Sequence, residues 1–246
     1  MSLNIYNPEK FIKIPKAVIF DTDNTLYAYA PAHKLALNSL FEKAEKLLDI
    51  KIDIFAEKFK EAKKEVKNRI INQASSHSRL LYIQRTIELL GFRTQLLTTL
   101  DLEQTYWRTF LQSCKLFPYV RELLNELNRE NIQTAIITDL TSQIQFRKII
   151  FFGLEKYFDY VVTSEESGAD KPSKEPFKLV LKKLNLSPKE CWMIGDNINA
   201  DILGGKKCGL TTLHKYDSKF DTKYNDINPD ASFDDFQNIL QLIRKI

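Results

Sequence analysis

Apolar residues recur along the chain in two rhythms. Four short, nearly unbroken apolar runs, "TAIIT" (134–138), "YVVTS" (160–164), "CWMIG" (191–195) and "LTTLH" (210–214), alternate with stretches near 119–130, 142–152, 174–185 and 199–208 whose apolar residues return every three or four positions. Continuous runs fit strands covered on both faces, and the longer spacing fits amphipathic helices. Their alternation predicts a doubly wound parallel α/β sheet. A fifth run of the first kind, "AVIF" (17–20), stands far upstream. Between it and the others, residues 31–115 carry only the helical rhythm, in "AHKLALNSLFEKAEKLL", "IFAEKFKEAKKEVKNRI", "SRLLYIQRTIELLG" and "LEQTYWRTFLQSC". Four helices with short connections predict a bundle. The expected organisation is a core built from residues 1–26 and 117–246, interrupted by a helical insertion over 27–116.

Sheets of this kind bind ligands in the crevice outside the carboxyl ends of their strands. Asp21 and Asp23 follow the first run, Thr138 and Asp139 end the second, and Gly195 and Asp196 open "GDNINAD" after "CWMI". Lys171 lies in "SGADKPSKEPF", the loop after "YVVTS". Each element also has a plain structural reading. "DTDNT" suits a turn and helix cap, Asp201 suits the first turn of a helix, and a loop lysine suits solvent. The joint pattern, all at one end of the sheet, argues for a site.

Charge and cysteine content narrow the class. The 246-residue chain carries 36 lysines and arginines against 32 acids, a net charge of +4 spread along its length, which gives no case for a nucleic-acid or membrane partner. Cys114, Cys191 and Cys208 are too few and too scattered for a disulfide framework or a zinc cluster. No apolar run has the length of a membrane span, and the N-terminus lacks the apolar stretch of a signal peptide. A cytoplasmic setting is expected.

"DTDNT" matches the DxDxT first motif of the haloacid dehalogenase (HAD) superfamily, and "GDNINAD" matches its GDxxxxD fourth motif. Thr138 after an apolar run resembles the second motif, and "GADKP" the third, with Lys171 before Pro172. The four stand in the family's order over nearly the whole chain, and the helical insertion resembles the cap found between motifs I and II. The resemblance implies a Rossmann-like core and a phosphoryl-transfer site that uses Mg²⁺. It makes Asp21 the nucleophile that becomes an aspartyl phosphate. Asp23 is then the general acid and base, and Thr138 and Lys171 bind the phosphoryl oxygens. By the same resemblance the metal is held by Asp21, Asp196 and the backbone carbonyl of Asp23, with Asp201 acting through a water or by holding Lys171. Dehalogenases of the superfamily lack the second aspartate, so Asp23 points to phosphate esters.

Some assignments stay open at this level. Lys174 rivals Lys171 within the same loop. The family often has Asn and Gly after the motif II Thr, whereas this chain has Asp139 and Leu140, and a carboxylate there must turn away from phosphate or meet a partner. Thr25, Asp139, His77 and Arg79 are candidate substrate contacts. The family places a mobile flap in the segment "LYAYAPAHK". In "NQASSHSRLLYIQRT", Ser75, Ser76, His77 and Arg79 cluster where two helices meet; Arg79 there either grips a second anionic group or belongs to a polar loop capped by Ser78. His33 and His214 read as structural. The activity expected is hydrolysis of a small phosphorylated metabolite, with a phosphomutase or a catalytically silent phosphate-binding protein as alternatives.

Overall fold

The computed structural model describes residues 3–217 and 227–246. The chain divides into two compact units, one of Met1–Ala28 with Leu116–Ile246 and the other of Tyr29–Lys115.

The second unit consists of helices α1 (Tyr29–Leu48), α2 (Ile52–Arg69), α3 (Arg79–Leu89) and α4 (Leu96–Ser113). Their apolar stripes meet in an interior of Ala36, Leu40, Phe55, Phe59, Tyr82, Ile83, Tyr106 and Phe110, each almost wholly removed from water. α4 begins six residues before the stretch read from the sequence. Its first turns carry Leu96, Leu97 and Leu100 on the solvent side, Leu97 at 85% exposure, and outward leucines blur the stripe on which a periodicity reading depends.

The first unit contains one sheet of β1 (Leu3–Ile5), β2 (Ala17–Phe20), β3 (Gln133–Thr138), β4 (Tyr160–Thr163), β5 (Cys191–Gly195), β6 (Thr211–Lys215) and β7 (Ala231–Phe233). The spatial order is β1-β7-β6-β5-β2-β3-β4, and every pairing is parallel except that of β1 with β7. Five strands coincide with the five apolar runs to within a residue. The sheet is therefore the parallel α/β arrangement expected, with β1 and β7 added at one edge. Both additions are three residues long, too short for alternation to register.

Helices α5 (Val120–Arg129), α6 (Ser142–Phe151), α7 (Ser164–Ser167), α8 (Lys174–Leu184), α9 (Leu203–Lys207) and α10 (Phe236–Lys245) accompany the strands. Ala17, Ile19, Ala135, Ile137, Val162 and Met193 from the sheet pack with Phe177, Val180 and Leu184 of α8 into one buried cluster. α10 went unread in the sequence although Phe236, Ile239, Leu240 and Ile243 follow helical spacing and are buried. The helix expected over 199–208 is broken into a π turn at Ile198–Ile202 and the short α9. Asn197 causes the break. Its side chain accepts the amides of Asn199 and Ala200, and its carbonyl accepts the amide of Ile202 five residues on at 3.3 Å.

Candidate active site

β2 lies between β3 and β5, where the order of strands along the chain reverses, and this is where an open α/β sheet forms its crevice. Register carries Phe20 level with Ile136 and Ile194, so the residues after β2 and β5 emerge side by side. The amide of Asp21 still donates to Ile194 O at 2.9 Å, which fixes the point where the chain leaves the sheet. The loop then turns through Asn24 at φ +62°, a left-handed conformation that Asn tolerates better than most residues. Beyond it, the buried Thr25 donates to Asp21 Oδ2 at 3.0 Å and lies 3.3 Å from Asp196 Oδ1.

Lys171 is drawn into the same place. Its ammonium donates to Asp21 Oδ1 at 2.6 Å, to Asp201 Oδ1 at 2.7 Å and to Ile137 O at 3.3 Å, which uses its three protons. Lys174 is exposed at the start of α8, and the neighbouring Ser173 bonds Glu175 without its side chain capping the helix. Asp201 is fully buried, and its second oxygen accepts the amide of Asn197 at 3.0 Å. This close seat requires glycine at 195: a Cβ there would lie 2.4 Å from the Asp201 side chain. His214 donates from Nε2 to Asp196 O at 2.8 Å and so steadies the last strand end.

The electrostatics are those of crowded acids. Asp21, Asp196 and Asp201 each direct an oxygen to within 4.8 Å of the others, against the single positive charge of Lys171. Burial raises the pKa of Asp21 well above the carboxylate range; Lys171 opposes this, while Asp201 and Asp196 add to it. Burial and then the charge of Asp201 push Asp196 up to about 7. Burial disfavours the charge on Lys171, yet Asp201, Asp21 and Asp139 outweigh that cost and hold its pKa well above the ordinary lysine value. The donor set fits a divalent metal ion. Asp21 and Asp196 offer hard carboxylate oxygens, while both oxygens of Asp201 are engaged by Lys171 and the Asn197 amide.

The β3 end completes this face. Thr138 is buried with its hydroxyl 2.8 Å from that of Thr22. Asp139 meets partners within the protein: Oδ1 accepts from Ser164 Oγ and from the Lys171 amide, each at 3.0 Å, which ties the β3 loop to the Lys171 loop. Burial raises its pKa as well. Leu140 adopts φ +106°, a region that glycine occupies without strain and leucine does not. The backbone after Thr138 thus keeps a conformation suited to Gly although the residue has changed.

Two side chains of α6 belong to this neighbourhood and were not singled out in the sequence. Gln145 donates from Nε2 to Asp139 O at 2.7 Å. Lys148, 1% exposed, grips both oxygens of Asp23 at 2.8 and 2.9 Å, and Tyr27 OH donates to the same carboxylate. Asp23 therefore stands apart from the Asp21, Asp196 and Asp201 group in its side-chain partners. A lysine and a glutamine three apart in "QFRK", on the helical face that also carries Ile144 and Ile149, were the signal available.

In the helical unit, Ser78 caps α3 by accepting the Leu81 amide at 3.3 Å, as the loop reading expects. Half-buried Arg79 donates to the carbonyl of half-buried His77 at 2.6 Å and to Tyr29 OH, with the rings of Tyr82, Tyr106 and Trp107 between 5.4 and 5.9 Å from its guanidinium carbon. Among the described residues it has no carboxylate partner. Burial, then the charges of Arg79 and Lys63, lower His33 to about 4; burial, then Lys67 and Arg79, lower Lys63. His33 itself bonds Tyr106 OH through Nδ1 at 2.6 Å.

The model of the haloacid dehalogenase-like hydrolase family matches residues 15–209. A ribulose-1,5-bisphosphate 5-phosphatase of Halopiger xanaduensis is 38% identical over 198 residues, covering 80% of this chain and 83% of that protein. A glyceraldehyde 3-phosphate phosphatase of Methanocaldococcus jannaschii is 27% identical over 232 residues, covering 94% and 98%. Among solved structures, a HAD phosphatase from Thermococcus onnurineus superposes with a TM-score of 0.70 at 23% identity, covering 92% of this chain and 97% of that one. A 2-haloacid dehalogenase from Pseudomonas syringae gives 0.73 at 20% identity, covering 95% and 99%.

Proposed function

Because the chain belongs to the haloacid dehalogenase-like hydrolase family, we propose that it is a Mg²⁺-dependent phosphomonoester hydrolase of small phosphorylated sugars, working through an aspartyl phosphate on Asp21. The observation that carries this reading is the convergence of Asp21, Asp196, Asp201 and Lys171 at adjoining strand ends, with a second motif I carboxylate, Asp23, held nearby in sequence by its own lysine.

Asp21 Oδ2 is aimed by Thr25 and Oδ1 by Lys171, so the nucleophile is oriented before substrate arrives. Its attack on phosphorus forms the acyl phosphate and divides one hard displacement into two easier ones. Asp23 gives a proton to the departing alkoxide and then takes one from the hydrolytic water. Lys171, the Thr138 hydroxyl and the backbone amides after it receive the charge that builds on the phosphoryl oxygens. Asp201 holds Lys171 in place. Asp21, Asp196 and the carbonyl of Asp23 would hold Mg²⁺, which would supply Lewis-acid charge neutralisation there. Asp139 organises the Lys171 loop through its contacts with the Lys171 amide and Ser164.

The two curated relatives are named for a sugar bisphosphate and a triose phosphate, which supports small sugar phosphates as the substrate class. Within the helical unit, Arg79, whose guanidinium meets no carboxylate among the described residues, and His77 are the candidate contacts for a second anionic group. The test is phosphate release from a panel of sugar mono- and bisphosphates with Mg²⁺. Asp21→Asn should lower kcat by at least about 10⁴-fold. Interconversion of sugar phosphate isomers with little free phosphate would mark a mutase and overturn the reading, as would full turnover in Asp21→Asn.

A further inference from the structure

Buried lysines are rare unless paired, and of the three in the α/β unit Lys215 donates to the Tyr216 carbonyl, while Lys148 and Lys171 meet carboxylates. Lys171 belongs to a recognised motif. Lys148 does not, and α6 delivers it to the Asp23 carboxylate from ten residues beyond Thr138. Its side chain is as inaccessible as the core, while Asp23 is one-third exposed, so the pair has one partner fixed by packing and one that reaches outward. Tyr27 holds the same carboxylate from a second direction, and its ring lies 5.9 Å from the Lys148 ammonium. Gln145, one turn earlier on α6, accepts from Thr22 Oγ1 at 3.5 Å through Oε1, so α6 touches both residues that follow Asp21.

We propose that Lys148 is a positioning residue for the reaction: with Tyr27 it fixes the Asp23 carboxylate in the place from which it serves first the leaving group and then the hydrolytic water. The inference rests on the role given to Asp23 above. In the first half-reaction the Asp21 carboxylate forms an O–P bond as the ester O–P bond breaks, and the Asp23 proton passes to the leaving oxygen. Asp23 then carries the negative charge that Lys148 meets. In the second half-reaction, water attacks phosphorus while Asp23 takes its proton. The acyl phosphate O–P bond breaks, and Asp21 is returned as a carboxylate with inorganic phosphate as product. Lys148 thus fixes the geometry from which the proton is passed and water is activated.

The experiment uses 4-nitrophenyl phosphate, whose leaving group departs without a proton, together with an alkyl phosphate substrate. General acid–base catalysis contributes about 10²–10⁴-fold, so Lys148→Met should lower kcat by about 10–100-fold. On the aryl ester KM should fall with kcat, so that kcat/KM stays within about threefold, and a burst of about one nitrophenolate per active site should precede the slow steady state. On the alkyl ester kcat/KM should fall as well. In an Asp23→Asn background Lys148→Met should add almost nothing, because its effect passes through that carboxylate. Tyr27→Phe keeps the ring and removes the second anchor; it should give the same pattern at about 3–10-fold and serves if Lys148→Met does not fold. Equal losses of kcat/KM on both esters without a burst, or full additivity with Asp23→Asn, would overturn the assignment of Lys148. Undiminished turnover in Asp23→Asn alone would instead overturn the role of Asp23.

Discussion

The two units bury charge of opposite sign. In the α/β unit, acids gather until burial and mutual repulsion push Asp196 up to about 7, and the buried Lys148 and Lys171 are each matched by carboxylates. In the helical unit the same forces run the other way: burial and neighbouring cations bring His33 down to about 4 and lower Lys63, and Arg79 finds a carbonyl, a phenol and aromatic faces but no acid among the described residues. One unit is short of positive charge and the other of negative charge.

The sharpest way to break this comparison is to delete a compensated cation. Lys171→Met leaves Asp21 and Asp201 buried without their counter-charge, and removing one partner of a buried pair costs about 3–5 kcal/mol. For a chain of this size the metal-free protein should melt about 10 °C lower, and phosphatase activity should be lost with it. Calorimetry with and without Mg²⁺ checks the first point. A melting temperature unchanged by the substitution would mean that the carboxylates are not held apart by Lys171.

How far this site was legible in the sequence differs residue by residue. The strands Ala17–Phe20 and Cys191–Gly195 are apolar on both faces, so their limits and the acids beyond them could be read directly. Thr138 and Lys171 carried no meaning alone and became readable through order and motif resemblance. Lys148 and Gln145 resemble ordinary polar positions of an amphipathic helix until the sheet shows which face of α6 is covered. The π turn that carries Asp201 escaped because Asn197 diverts the backbone through side-chain bonds that periodicity does not encode. The lack of an acid beside Arg79 is likewise a property of packing among four helices.

A milder test exploits the acids. With its pKa raised to about 7, Asp196 in the folded metal-free protein keeps a proton that the unfolded chain releases near pH 3.8. The folded state therefore binds more protons between those values, and this group's contribution to stability falls as pH rises through the window. Metal binding needs the carboxylate and competes with that proton. Mg²⁺ should accordingly raise the melting temperature more at about pH 7.5 than at about pH 5.5. An equal gain at both values would place the metal away from Asp196.

The smallest effect lies in the helical unit and separates burial from charge. Burial is the first cause of the low His33 pKa and Arg79 the second, so Arg79→Met should move His33 only part of the way from about 4 toward its ordinary value of 6.5. Below that ordinary value the unfolded chain takes up a proton that folded His33 resists, so acidification from about pH 6.5 to about pH 4 destabilises this unit. The substitution should soften that loss. Because Arg79 has no acid to abandon, stability near neutral pH should change by less than about 1 kcal/mol, in contrast to Lys171→Met. Histidine-detected NMR titration of the variant reads the shift directly. A His33 pKa left unmoved would assign the whole depression to burial and remove Arg79 and His33 from a common electrostatic cluster.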